Sequence, residues 1–239
     1  MPTRHDGRAP DTLRPVAIDL DPPSSAAGKA MISAGNTVVL CTASIDDDVP
    51  PWMAGRGRGW VTAEYSMLPG STGDRKRRDR GPKLDGRTSE IQRLIGRSLR
   101  AAVNLEGLGE RTVTVDCDVL RADGGTRTAS ITGAFVALVR ALDTVGAASA
   151  AITSSVAAVS VGVVDGTPVL DLDYPEDVRA EVDMNVVTTG EGEFIEVQGT
   201  GEGATFSRGQ LDGMLELAGV GIEQLTALQK RTLGERWPL

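Results

Sequence analysis

Apolar residues recur along the chain with two spacings, and the switches between them mark out its elements. Strand signals run through Asn36-Thr-Val-Val-Leu-Cys-Thr-Ala-Ser44 and Trp60-Val-Thr-Ala-Glu-Tyr-Ser-Met-Leu68. From about residue 69 to 86 the chain turns polar and glycine-rich, with Arg75-Lys-Arg-Arg78, and reads as a loop. Residues 89–103 then follow helical spacing, with Ile91, Leu94, Ile95, Leu99, Ala102 and Val103 on one face. Arg93, Arg97 and Arg100 fall on another face, and Ser89 and Gln92 have capping-box spacing. Residues 111–121 alternate like a half-buried strand, with Val113, Val115, Cys117 and Val119 pointing one way. Ile131, Ala134, Phe135, Leu138, Val139 and Leu142 signal a second helix.

The second half returns to strands. Residues 156–164 and 169–174 flank Asp165-Gly166, and residues 182–189 and 194–198 flank Gly190-Glu-Gly192, which predicts two hairpins. In the first of these, Asp171 and Asp173 are expected on one strand face. A helix is expected from Ser207, again with capping-box spacing to Gln210, and its apolar face is Leu211, Met214, Leu215 and Ala218. A further helix uses Ile222, Leu225 and Leu228. Runs of strands separated by helices predict an α/β or α+β fold with a mixed sheet, as one domain over residues 1–239 without a linker or a solenoid repeat.

Composition narrows the picture. Aromatic residues make up 3% of the 239, so the core has to be built from Val, Leu, Ile and Ala. Residues 144–164 carry no charge, but their many Ser, Ala and Gly suit a helix end, a loop and a buried strand better than a membrane span. No basic-then-apolar leader opens the sequence, and a cytoplasmic protein is expected. Cys41 and Cys117 lie in separate strand-like runs and are expected to be buried free thiols, with no metal-binding spacing. His5, the single histidine, is expected in a mobile amino-terminal tail, which argues against Ser-His-Asp or Cys-His chemistry.

The net charge of −8 is unevenly spread. Residues 52–100 hold 12 Lys and Arg against 5 Asp and Glu, whereas residues 160–239 hold 5 against 15. Such a division suits a protein that grips a polyanion with one part and a cation with another, although acidic surface also serves solubility.

Local motifs give this division chemical content. Asp123-Gly-Gly-Thr-Arg127 lies between a strand and a helix. Paired glycines admit a ligand close to the backbone, the helix start offers free N–H groups, and Arg127 adds a forked cation suited to phosphate. The same residues would also make an ordinary glycine turn capped by Thr126. Asp85-Gly-Arg-Thr88 sets a second arginine, Arg87, just before the other helix, where it is either a phosphate ligand or a solvated helix-end side chain. The stripe Arg93, Arg97 and Arg100 could follow an RNA backbone or simply face solvent. Among Asp171, Asp173, Glu176, Asp177, Glu181 and Asp183, the pair Asp177 and Asp183 flanks a short connection and could meet at one hard cation such as Mg²⁺.

Taken together these segments resemble the bacterial ribonuclease PH family. The likeness is carried by Arg87-Thr-Ser-Glu-Ile-Gln-Arg-Leu-Ile-Gly-Arg-Ser-Leu-Arg100 and by residues 116–133, from Asp116-Cys-Asp-Val to Ile-Thr-Gly133. Gly7-Arg-Ala-Pro-Asp-Thr-Leu-Arg-Pro15, Gly59-Trp-Val-Thr-Ala-Glu-Tyr65, residues 161–174, Asp183-Met-Asn-Val-Val187 and Glu196-Val-Gln-Gly-Thr200 extend it over almost the whole chain. Residues 18–36 depart from the family pattern, with Pro22-Pro23, Lys29, Ser33 and Asn36. The resemblance implies a ribosomal protein S5 domain 2-like fold, a mixed sheet backed by helices. It implies phosphorolysis, in which inorganic phosphate as co-substrate attacks the last phosphodiester of an RNA with a single-stranded 3′ end, such as a tRNA precursor. It further implies phosphate binding by Arg87, Gly125, Thr126 and Arg127, catalytic and Mg²⁺-holding roles for Asp177 and Asp183, and a homo-hexamer built as a trimer of dimers.

Overall fold

In the computed structural model, residues 4–78, 85–203 and 205–239 are described. Two sheets are stacked with one long helix between them. The first sheet contains β1 (Val16–Asp19), β2 (Gly28–Ala34), β3 (Thr37–Asp46), β4 (Trp60–Met67) and β5 (Thr112–Arg121), in the order β1-β2-β3-β5-β4. Neighbours are antiparallel except β4 and β5, which run parallel. Parallel neighbours require a crossover, and α1 (Gly86–Ala101) with the short α2 (Leu105–Leu108) lies within it. The second sheet is antiparallel throughout, with β6 (Val156–Val164), β7 (Thr167–Leu170), β8 (Val182–Thr189) and β9 (Phe194–Gly201) in the order β7-β6-β8-β9. The mixed sheet backed by helices is therefore as the sequence predicts.

Helix α3 (Thr126–Thr144) is the central element. Fifteen of its residues are buried, because it packs on β2 and β3 with one face and on β6 with another. Its apolar residues consequently extend round the helix instead of forming one stripe. Gly133 lets α3 approach the first sheet, since a Cβ there would sit 2.8 Å from Cys41 Sγ and from Ile32 Cγ2. Gly133→Ala is expected to cost about 1–3 kcal/mol through overpacking, read from urea unfolding. Cys41 and Cys117 are register partners across β3 and β5, buried and free. The uncharged stretch 144–164 divides as expected into a helix end, a loop bearing α4 (Ala148–Ala151), and the fully buried β6.

Several expectations are corrected. Helix α1 starts at Gly86, not at Ser89, because the Asp85 carboxylate accepts the Arg87 N–H and caps the helix itself. The last two helices are one, α6 (Arg208–Leu233), opened by the expected Ser207 and Gln210 capping box. Its interior Gly221 does not break it, because that glycine faces Leu170, whose Cδ1 would lie 2.8 Å from an added Cβ. The loop around residues 69–86 is described only up to Arg78, and its residues 79–84 lie outside the described part. Among the described residues no helix is long and apolar enough to cross a membrane.

From Arg4 onward the amino-terminal segment is tied down by ion pairs, which corrects the expectation of a mobile tail around His5. Arg4 is buried and donates to both carboxylate oxygens of Glu176 (2.7 and 2.5 Å), and His5 Nε2 lies 2.6 Å from Asp173 Oδ2. Arg4 and neighbouring Arg8 hold Glu176 below the usual carboxylate range although burial pulls the other way. Asp171 and Asp173 do not share a strand face. β7 ends at Leu170, Asp171 takes a left-handed φ of 57°, and Asp173 caps α5 (Tyr174–Asp177).

Candidate active site

The two glycines between β5 and α3 are required by geometry. Gly124 and Gly125 both adopt left-handed conformations, with φ of 74° and 65°. A Cβ on Gly124 would fall 2.6 Å from the Leu172 carbonyl oxygen, so the loop presses directly on the segment leading to α5. Gly125 occupies the cap position of α3 without a capping side chain, and Thr126 and Arg127 form its first turn. The unpaired N–H groups of that turn and the positive end of a 19-residue helix make a seat for an anion.

Around this turn opens a cleft of about 540 Å³, lined by Arg87, Gly124, Gly125, Thr126, Arg127, Asp177 and Asp183. An adjoining cavity of about 450 Å³ again includes Arg87, Arg127, Asp177 and Asp183, together with Gln198, Thr200 and Glu202. The helix starts and the acidic pair that the sequence singled out thus share one space. Arg127 is anchored by Gln198 Oε1 at 2.8 Å and lies 3.5 Å from Glu90 of α1.

Burial raises the Asp177 carboxyl, with Arg87 and Arg127 opposing. Asp183 rises further, to about 6, through burial first and the neighbouring Asp177 charge second, again against Arg127 and Arg87. Neither carboxylate has a hydrogen-bond donor among the described residues, and Glu202 adds to the negative potential at both. Two partly desolvated, mutually repelling carboxylates provide hard oxygen ligands, and their donor set fits Mg²⁺. A second acidic group, formed by Asp173 and Glu176 with His5, differs because Arg4 and Arg8 already neutralise it.

The arginine stripe is not brought to the cleft. Arg93 and Arg97 are exposed, and Arg97 pairs with Glu196 at 2.7 Å. Arg100 is half-buried against β4, donating to the Val61 carbonyl at 2.8 Å with its guanidinium 4.5 Å from the centre of the Trp60 ring. At the α-helical rise, Arg100 lies about 20 Å along α1 from Arg87. Lys76 of the basic loop does line the cleft.

Other residues at the site had not been singled out. Asn185 lies two positions beyond Asp183 on β8, 6% exposed and lining both spaces, and its side-chain amide has no hydrogen-bond partner among the described residues. The period-two geometry of a strand is the signal that points to it. Arg14 pins the Asp123–Gly125 loop to the α5 segment, with Nη1 2.5 Å from the Asp123 carbonyl oxygen and Nη2 2.7 Å from Asp171 Oδ1.

Residues 12–142 match the model for domain 1 of the 3′ exoribonuclease family, and residues 154–221 match its domain 2. The chain belongs to the 3′ exoribonuclease family. It is 58% identical over 235 residues to Ribonuclease PH of Rhodopirellula baltica, covering 95% of this chain and 96% of that protein. It is 56% identical over 241 residues to Ribonuclease PH of Bacillus subtilis, covering 98% of each. Rice Rrp46 superimposes with a TM-score of 0.79 at 19% identity, covering 96% of this chain and 99% of that one. The Archaeoglobus fulgidus exosome with RNA bound to the active site gives 0.78 at 21% identity, covering 94% of this chain and 91% of that one. At such identities these two structures show a shared fold and nothing finer.

Proposed function

We propose that this cleft trims RNA 3′ ends by phosphorolysis, with inorganic phosphate as co-substrate. The observation that carries the reading is the meeting of Arg87, Arg127 and the first turn of α3 with Asp177 and Asp183 in one cleft. Arg87, Arg127, Thr126 and the N–H groups beginning at Gly125 hold phosphate by its non-bridging oxygens. Its free oxygen is thereby aimed at the phosphorus of the last phosphodiester. The new P–O bond forms as the bond to the preceding 3′ oxygen breaks, and the terminal residue leaves as a nucleoside diphosphate. The departing 3′ oxygen takes its proton from the Asp177 and Asp183 pair or from a water beside them. Charge is spread over non-bridging oxygens throughout, so positioning and electrostatics supply most of the rate. Mg²⁺ held by Asp177 and Asp183 would neutralise the scissile group. No histidine base is required, and His5 is engaged by Asp173. The phosphodiester bond that breaks is exchanged for the phosphoanhydride bond of the nucleoside diphosphate at similar energy, so the reaction also runs in reverse from nucleoside diphosphates.

The finer features of this reading are tRNA precursors as substrates, a homo-hexamer arranged as a trimer of dimers, and a cytoplasmic setting where Cys41 and Cys117 remain thiols. Residues 1–239 act in this reading as one domain, supported by the larger core, which runs from the first sheet through α3 to Val156 and Ala158 of β6. The decisive assay incubates RNA bearing a single-stranded 3′ end with and without phosphate and Mg²⁺. Nucleoside diphosphates are expected only when both are present. Release of monophosphates in phosphate-free buffer would identify a hydrolase and reject the proposal.

A further inference from the structure

We propose that Tyr65 is a positioning residue for phosphate, donating its buried hydroxyl to Thr126 Oγ1 and so turning the Thr126 proton into the cleft. The inference rests on the phosphorolytic reading above and deepens it.

Tyr65 lies on the inward face of β4 together with Val61 and Ala63, and is 3% exposed. Its hydroxyl oxygen is 2.9 Å from Thr126 Oγ1, and neither hydroxyl has another hydrogen-bond partner among the described residues. Distance alone leaves the direction open, but satisfiability decides it. If Thr126 donated, the phenolic proton would be buried without an acceptor, which is costly. If Tyr65 donates, the proton left over belongs to Thr126, which lines the cleft, where an oxyanion can accept it. Burial raises the Tyr65 pKa although the Thr126 hydrogen bond, Arg87 and Arg127 all oppose this, so the phenol stays protonated.

Thr126 has no competing duty. Helix capping falls to Gly125, and the hydroxyls of the same turn that bond the backbone are those of Thr128, to the Gly125 carbonyl, and Ser130, to the Thr126 carbonyl. A hydroxyl fixed as a donor beside two guanidinium groups suits an acceptor with several oxygens. It does not suit a cation. The strand that ends near the cleft at Met67 thus contributes to phosphate recognition from below, without its own side chain touching the ligand.

The test is steady-state phosphorolysis by the full chain with Tyr65→Phe, Thr126→Val, the double variant and Arg127→Ala. Tyr65→Phe is expected to raise the phosphate KM about 3–10-fold, the scale of one hydrogen bond, while the RNA KM and the melting temperature stay near the parent values. In the Thr126→Val background the same change should add nothing further. An unchanged phosphate KM in Tyr65→Phe, alongside a raised one in Arg127→Ala, rejects the role of Tyr65 and leaves the phosphate site standing. A full additional effect in the Thr126→Val background also rejects it, because the influence would not pass through Thr126. Should Tyr65→Phe fold poorly, Thr126→Val alone decides: no rise in phosphate KM overturns the proposal. If neither Tyr65→Phe nor Arg127→Ala moves the phosphate KM, the phosphorolytic assignment of the cleft itself fails.

Discussion

Asp183→Asn is expected to lower kcat by about 10²–10³-fold at saturating RNA and phosphate, the scale of losing one electrostatic group at a reacting centre. The amide keeps the size of the side chain but can neither hold a divalent cation as a carboxylate does nor carry a proton. The Mg²⁺ requirement should therefore rise along with the loss in rate. Stability should move the other way. Asp183 is pushed up to about 6 by burial and by Asp177, so its ionised form is disfavoured in the fold. The folded-state value lies above that of the unfolded chain, near 4. Its favourable contribution is consequently complete below about pH 4 and is lost as pH rises through about 6. At pH 8 and without added metal, the Asn variant should melt at or above the parent temperature. Apparent Mg²⁺ affinity of the parent should weaken as pH falls through about 6, because binding needs the ionised carboxylate. Full turnover in the Asn variant would remove Asp183 from the reaction.

Arg127→Ala should raise the phosphate KM and lower kcat/KM for phosphate by about 10²–10³-fold, or about 3–4 kcal/mol, with a smaller effect on the RNA KM. The magnitude follows from the preparation of the guanidinium. Gln198 at 2.8 Å and Glu90 at 3.5 Å fix it against the first turn of α3, so its fork is aimed before phosphate arrives. Its removal also strips a cation from beside Asp177 and Asp183, which increases their mutual repulsion. Arg127→Lys should recover part of the loss, since it restores the charge but not the planar fork. Initial rates over a range of phosphate concentrations measure both variants. An unchanged phosphate KM in the Ala variant would place the phosphate elsewhere.

Legibility in the sequence followed the physics of each element. β5 alternates cleanly because one face packs on the core, with Val113, Val115, Cys117 and Val119 buried, and its period was visible. β1 and β2 were not visible. β1 has four residues, and β2 is built from Gly28-Lys-Ala-Met-Ile-Ser-Ala34, whose small side chains give little hydropathic contrast despite strict burial alternation. The α6 helix was read as two, because continuity through Gly221 depends on its contact with Leu170, far away in the chain. At the site, Arg87, Thr126, Arg127 and Asp183 were singled out because each sits in a contiguous motif, and Asp177 because it and Asp183 flank a short connection. Gln198 and Glu202 depend on how β9 pairs with β8, and no local pattern records that register. His5 was misjudged for the same reason, since the carboxylate that fixes it is Asp173, 168 positions away. Helical spacing places Arg100 on a face but does not reveal what covers it, in this case Trp60.

Burial of α3 on two sides has a consequence for how phosphate is received. The donors at its first turn belong to an element gripped by both layers, so grasping the anion requires no ordering of the helix. Little of the binding free energy is consumed in shaping the receptor, and discrimination among oxyanions has to come from fit, because the seat cannot reshape itself around a different guest.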